Sequence, residues 1–407
     1  MARPGRRAFA LLAGALLLFA VGTNVQAGWL IVLASLMAGA VLAGVLLPPF
    51  MVRRVEIQRR APDRVFQGDE VRVDLDVTNV GGAKLSLTVA DPHLGRARLF
   101  VPSLRRHERV RVTTRRRAGR RGPNETRTVL VSSSAPFGVA IARRRVAAPG
   151  RTIVYPRVVP VRIPLALQAA AEAGPRPLAR RGDGQDYLGV REYRAGDSMR
   201  HVHWPSSART GSLMVREFER EHRSRLGIVV DASADDGTQD TPLDLACAVA
   251  ASVAVSAMDA GLTVMLATQG SGGPRSLVPA DRAEALEWLA GVRPDPTPLA
   301  EALHVLSREI ASCDALVLAM PSWAGAGGGW GAFRPSGDAI AWLPAPAMAA
   351  LVDASSFRRT RRSPAVLGET NLDELERSLR RRGAAAVRIG ATEDLEVCLE
   401  RLFAAAA

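Results

Sequence analysis

Two uncharged apolar runs near the start, residues 8–25 and 28–50, limit what this chain can fold into more than any other feature. Each is long enough to cross a hydrocarbon core that takes roughly 20 helical residues, and only a short polar break at Thr23, Asn24 and Gln26 separates them. Backbone amides in lipid must bond within their own segment, so two helices joined by a tight turn are expected. Arginines flank both outer sides, Arg3, Arg6 and Arg7 before the first run and Arg53, Arg54, Arg59 and Arg60 after the second. Basic flanks stay on the cytoplasmic side, which predicts a membrane hairpin with everything after residue 51 in the cytoplasm. A secretory signal cleaved near Val25, Gln26 and Ala27 is the rival reading. It would leave a chain starting inside a second spanning segment, and the arginines at 53–60 oppose export.

Past the anchor the hydrophobic period changes to two. Residues 71–77 and 85–89 alternate apolar and polar around a turn at Asn79, Val80, Gly81 and Gly82, and 109–113, 127–131 and 152–155 are further short strand candidates. The expectation is a small β-sandwich of immunoglobulin-like shape over residues 55–160. Residues 161–184, rich in Ala, Pro, Gly and Arg, break both periodicities and read as a linker.

From residue 213 strands and helices alternate. Strands are expected over 213–219, 226–230, 262–268, 315–320, 339–343 and 384–389. Helices open at Thr241-Pro242, at Asp281 with Glu284, and at Thr297-Pro298; another covers 371–382, closed by Gly383, and a last one starts at Thr392. Such alternation predicts a mostly parallel sheet covered on both faces, an α/β doubly wound domain. The resulting multidomain architecture is a two-helix transmembrane hairpin over 1–54, the β-sandwich, the linker, and a domain over 185–407.

Charge and cysteine exclude more than they identify. The net charge is +14, yet of 54 basic residues only Lys84 is lysine, a skew that points to base composition of the genome rather than to a function. Cys247, Cys313 and Cys398 are far apart in apolar surroundings, with neither a disulfide framework nor metal-ligand spacing. Residues 96–121 carry eleven arginines and one acid, Glu108. The plain reading is a solvated loop; the functional one is a surface for anionic headgroups or nucleic acid. No recognition motif supports nucleic acid, and there is no P-loop, dinucleotide fingerprint, HExxH or paired zinc-ligand motif.

The least generic stretch lies between these domains. Asp186 to Trp204 reads D-Y-L-G-V-R-E-Y-R-A-G-D-S-M-R-H-V-H-W, and Ser207 to Glu221 reads S-A-R-T-G-x-L-M-V-R-E-F-E-x-E. Alternating signs at this density suit an Arg–carboxylate network set among Tyr187, Tyr193 and Trp204, against the alternative of a solvated mixed-charge segment. The string resembles the signature of the bacterial family called domain of unknown function 58. The matching positions are Gly184, Tyr187, Gly189, Arg191, Tyr193, Gly196, Asp197 and Arg200, then His203, Trp204, Ser207, Ala208, Arg209, Val215 and Glu221, with Glu217 in the same run. Pro205 departs from it, where a basic residue is common.

A second resemblance concerns the end of the 226–230 strand. Asp231-Ala232-Ser233-Ala234-Asp235 is similar to the metal-ion-dependent adhesion site of von Willebrand factor A-type domains. Carboxylate, hydroxyl and water oxygens suit Mg²⁺. The resemblance implies Asp231, Ser233, Asp235 and Thr297 as metal-binding residues, with Asp235 standing where that family has serine. The aspartate that family draws from a third loop has no counterpart at Met320-Pro321-Ser322. Together the resemblances imply a non-enzymatic, membrane-anchored scaffold that mediates protein–protein interaction, with a partner carboxylate completing the cation's shell and a MoxR-type AAA+ ATPase as partner. The alternatives are a hydrolase using His203 and Asp197 with Ser206 or Ser207, and an anionic-surface binder.

Overall fold

The computed structural model describes residues 3–164, 186–194, 199–219, 225–232, 241–270, 272–295, 297, 299–322, 347–357, 370–381 and 383–405. The chain divides into two compact units, Met1–Arg157 and Val158–Ala407.

The first unit opens with β1 (Arg3–Pro4), then α1 (Arg6–Asn24), α2 (Gly28–Leu46) and the short α3 (Pro48–Met51). The two long helices pack on each other as a hairpin. Gly22 makes the close turn possible, because a Cβ there would sit 2.9 Å from Leu30 Cβ. Their apolar side chains face outward, Leu16, Leu17, Trp29, Val32 and Leu36 each being more than 60 % exposed. Such surfaces belong in lipid, and these two N-terminal helices point to membrane anchoring.

Strands β2 (Val55–Arg60), β3 (Arg64–Phe66), β4 (Glu70–Asn79), β5 (Lys84–Asp91), β6 (Ala97–Leu104), β7 (Arg109–Arg117), β8 (Gly122–Ser133) and β9 (Ala140–Tyr155) follow. One sheet runs β1-β9-β8-β5-β6, with β3 alongside β9, and the other runs β2-β4-β7. Period-two patterning places Ile57, Leu75 and Val77 from one sheet and Leu87, Val89, Val101, Val129 and Val131 from the other in a single buried cluster, so the two layers close as a sandwich. The loop reading of residues 96–121 is corrected. Most of that stretch is strand: Leu99, Val101, Val110 and Val112 face inward, while Arg98, Arg109 and Arg111 at neighbouring positions stay exposed.

The second unit begins with residues 158–164, of which 158–160 were expected to end the sandwich and 161–164 to open the linker, and they are better fastened than a linker would be. The Val159 and Val161 amides donate to the Ser252 and Ser256 hydroxyls at 3.0 and 3.1 Å, and Val161 and Ile163 are buried. Residues 165–185 lie outside the described residues. Strand β10 (Asp186–Glu192) pairs antiparallel with β11 (Met214–Glu219), and between them sit a turn of 3-10 helix (Met199–His201) and α4 (Trp204–Thr210).

Then come β12 (Arg225–Val230), α5 (Pro242–Asp259), β13 (Thr263–Thr268), β14 (Arg275–Leu277), α6 (Arg282–Gly291), α7 (Leu299–Val305), α8 (Ser307–Ile310), β15 (Ala315–Ser322), β16 (Ala347–Asp353), α9 (Thr370–Arg381), β17 (Ala385–Ile389) and α10 (Leu395–Ala404). The sheet order is β14-β13-β12-β15-β16-β17, parallel except for the edge strand β14. Val229, Ala267, Leu318 and Ala349 pack with Leu303 of α7, Ile310 of α8 and Leu379 of α9 in one cluster. Helix α5 takes no part in that cluster and lies against β12, β13, β15 and β16 on the opposite face. It is long and apolar enough to cross a membrane, but 72 % of it is buried here, which makes it a core helix. The strand expected over 339–343 falls outside the described residues; β16, which was not expected, stands next to β15. The last helix starts at Leu395 rather than Thr392, because Asp394 is its cap, accepting from the Glu396 amide at 3.0 Å.

Candidate functional site

The carboxyl ends of the parallel strands converge where the sheet order reverses. The chain leaves β12 for β13 on one side and later reaches β15 on the other, so the topological switch point, where open α/β sheets take their ligands, lies beyond β12. Asp231 is the first residue past that strand and is fully buried. Its amide donates to the Ala319 carbonyl at 2.9 Å. Its carboxylate Oδ1 accepts from Gln269 Nε2 at 2.7 Å, while Gln269 Oε1 accepts from the Ala232 amide at 2.8 Å. One buried glutamine at the end of β13 thus fixes both the carboxylate and the backbone that follows it.

The loop before α7 is tied to the same point. Asp295, also buried, donates its amide to the Ala232 carbonyl at 2.9 Å, and its Oδ1 accepts from the Thr297 amide at 2.9 Å. This Asx-type turn holds the Thr297 backbone. At the far side of the edge, Asp353 of β16 stands in register with Ser322 of β15, so an acid does reach this rim from the strand beside the one expected to supply it. Among the expected metal-binding residues, the structure ties the loops of Asp231 and Thr297 together; Ser233 and Asp235 fall outside the described residues. Among the described residues no group of three or more His, Cys, Asp or Glu gathers as a metal cage. Gln269 and Asp295 escaped the sequence reading. A polar residue directly after a buried strand and an aspartate two before a helix-opening threonine were the available signals.

The signature forms its own small hairpin. Tyr187 and Gly189 of β10 stand opposite Phe218 and Glu217 of β11, and Arg191 stands opposite Val215. The Tyr193 amide donates to the Leu213 carbonyl at 2.7 Å, and Arg191 donates to the Glu192 carbonyl at 2.9 Å. Gly184, Gly196, Asp197 and Glu221 lie outside the described residues, and Arg200 belongs to the 3-10 turn.

His203 caps α4, with its amide on the Met214 carbonyl at 2.8 Å. Ser207 is bound on both sides. Its hydroxyl donates to the His203 carbonyl at 3.0 Å and accepts from the Met214 amide at 2.8 Å. Ser206 Oγ lies 2.8 Å from His203 Nδ1. Gly211, at φ +71°, ends the helix that carries Ala208 and Arg209, in a conformation that favours glycine. Trp204 does not anchor this segment as expected. It is the first residue of α4 and is 64 % exposed.

Residues 189–310 match the family model described as Protein of unknown function DUF58, which bears out the resemblance carried by the signature. No curated protein matches the chain. Among solved structures, the CARDB domain of the PF1109 protein from Pyrococcus furiosus, in complex with di-metal ions, is similar over 23 % of this chain and 86 % of its own, at 15 % identity and a TM-score of 0.17. A likeness that low carries no argument.

Proposed function

We propose that this chain, which carries the sequence of the domain of unknown function 58 over residues 189–310, is a membrane-anchored, non-enzymatic adaptor that docks a protein partner at the carboxyl edge of its parallel sheet. The observation that carries the reading is the cross-tied set Asp231, Gln269, Asp295 and Thr297, which fastens three separate chain segments at the topological switch point. Open α/β sheets take their ligands at such points.

The donor set fits a hard divalent cation in kind, being oxygen without nitrogen or sulfur. Asp231, Ser233, Asp235 and Thr297 are the residues that would hold Mg²⁺, and Mg²⁺ keeps several waters rather than requiring a cage of acids. When bound, the ion supplies a coordination position for a carboxylate from the partner. The chain's own part is to hold the Asp231 carboxylate in place through Gln269 and to keep the Thr297 loop against Ala232. The von Willebrand A-like resemblance supports this mode, and the family resemblance names a MoxR-type AAA+ ATPase as the partner, met in the cytoplasm.

Calorimetric titration of Mg²⁺ into the full chain in phosphatidylcholine nanodiscs, wild type beside Asp231→Ala, tests the cation. The expected result is binding by the wild type and none by the variant, with amide exchange across the sheet unchanged. Absence of binding in the wild type would remove the cation from the mechanism.

One contact favours a second reading, hydrolysis, since Ser206 Oγ and His203 Nδ1 are within hydrogen-bond reach. Ester hydrolysis abolished by both Ser206→Ala and His203→Gln would select it.

A further inference from the structure

The hairpin and the β-sandwich meet at one end of the sandwich, and strand register identifies what else lies there. Val55 pairs with Asn79, Arg109 with Thr78, Lys84 with Leu104, and Leu87 with Ser133. The turns at 80–83 and 105–108 and the loop at 134–139 therefore all sit at the end where the anchor enters. Direct bonds fasten them to it. The Val80 amide donates to the Arg54 carbonyl at 3.0 Å, Lys84 Nζ to the Phe50 carbonyl at 2.8 Å, and the Gly5 amide to the Val139 carbonyl at 3.0 Å. Asn79 Nδ2 donates to the Arg105 carbonyl at 2.9 Å, which joins the second turn to the first.

This rim combines two kinds of side chain. Val80, Leu85, Phe137 and Ile141 are exposed at 37 %, 48 %, 57 % and 43 %. Arg53, Arg54, Arg105 and Arg106 are exposed around them. The acids at this end are Glu56 and Glu108, and Glu108 is occupied by the Arg105 amide. The arginine-rich stretch 96–121 is thereby divided. Arg109 and Arg111 are paired with Asp76, Arg116 with Asp91, and Arg96 and Arg98 lie at the opposite end of the sandwich.

We infer that the rim is a binding surface for acidic phospholipid headgroups, seating the sandwich on the bilayer that its own hairpin enters. Apolar tips among arginines match the interface, where rings and aliphatic groups enter the acyl boundary and guanidinium groups meet phosphate. The surface is continuous with the spanning helices and faces the same way, so headgroups are at hand without any diffusional search. A nucleic acid would find one ring here, that of Phe137, and would gain nothing from Val80, Leu85 and Ile141, which offer no face for a base to stack on.

The test uses the full chain with Ser103→Cys at the exposed end of β6, labelled with a fluorophore; Cys247, Cys313 and Cys398 are buried. Nanodiscs are made from phosphatidylcholine alone or from an equal mixture with phosphatidylglycerol, each doped with headgroup-nitroxide lipid as quencher. Quenching is expected to be several-fold stronger in the acidic discs, to weaken in high salt, and to fall to the neutral-disc level in Arg105→Glu/Arg106→Glu. The control Arg96→Glu/Arg98→Glu is expected to quench like wild type. Equal quenching in the two lipids, a double variant at 105 and 106 that behaves like wild type, or displacement from acidic discs by a single-stranded oligonucleotide would each overturn the proposal.

Discussion

Buried charge in the β-sandwich is organised around two aspartates. Asp76 receives Arg111 Nε at 2.8 Å, Arg109, and Arg60 Nε at 3.3 Å, and the hydrogen bonds from Arg111 and Arg109 hold its carboxyl down at about 2. Asp91 lies between Arg59 Nη2 at 2.6 Å and Arg116 Nη2 at 3.0 Å, all three out of contact with water. These arginines are therefore structural, since leaving either aspartate unpaired in the interior would cost several kcal/mol. His93 sits beside this pair, fully buried, its Nε2 3.0 Å from Thr152 Oγ1 and its Nδ1 3.3 Å from Thr126 Oγ1. Burial and then the Arg59 charge push its pKa down to about 4. The unfolded imidazole takes up a proton as pH falls through about 6.5, whereas the folded one resists until about 4. Stability is thus lost between those values and levels off below them, by roughly 3 kcal/mol at about 1.4 kcal/mol per pH unit. Amide exchange of β8 and β9 in the full chain at pH 7 and 5 is expected to show about 2 kcal/mol of this loss in wild type and little of it in His93→Gln; equal pH dependence would remove His93 as the cause. At the sheet edge, Asp231 and Thr297 entered the reading only through the resemblance to von Willebrand A-type adhesion sites, since they stand far apart in the chain. Gln269 lies 38 residues from Asp231, and local patterns do not reveal a contact made only by strand pairing.

At the scale of elements, period decided what could be read. Strand β4 alternates over residues 71–75, β5 does so in sequence although Leu85 turns out to be exposed, and Thr241-Pro242 announced α5. By contrast β16 is Ala-Met-Ala-Ala-Leu-Val-Asp, mostly strong helix formers, and is a strand because a slot between β15 and β17 buries both of its faces. Strand β2 was hidden by its arginines, which resembled a basic flank although Val55 and Ile57 alternate inward. The start of α5 allows a direct test. The Thr241 hydroxyl accepts from the Asp244 amide at 3.1 Å, the Asp244 carboxylate accepts from the Thr241 amide at 3.2 Å, and both residues are buried. Removing the hydroxyl leaves a helix-end amide short of a partner where water does not replace it, so Thr241→Ala is expected to cost about 1–2 kcal/mol. Thr241→Ser should recover most of it. Exchange of the first-turn amides of α5 reads both, and indifference to the alanine would show that the cap carries no weight.

At the scale of the whole molecule, the arrangement of the anchor restricts orientation to two choices. Arg3 pairs with Ile141 before α1, and Val55 pairs with Asn79 after α3, so the chain enters and leaves the hairpin at one sandwich. Both outer ends of the hairpin must then lie on the same side of the bilayer, with the turn at residues 24–28 on the other. A choice between inside and outside follows from charge, and Arg6, Arg7, Arg53 and Arg54 at those ends favour the cytoplasm. Asn24 is exposed at the turn and Ser103 is exposed on the sandwich, while the native cysteines are buried. In intact cells an impermeant maleimide is expected to label Asn24→Cys, and to reach Ser103→Cys only after the membrane is opened. The reverse pattern would turn the protein over and rule out the cytoplasmic partner proposed above. Loss of label at 24 from a shortened chain would instead identify the first helix as a cleaved signal.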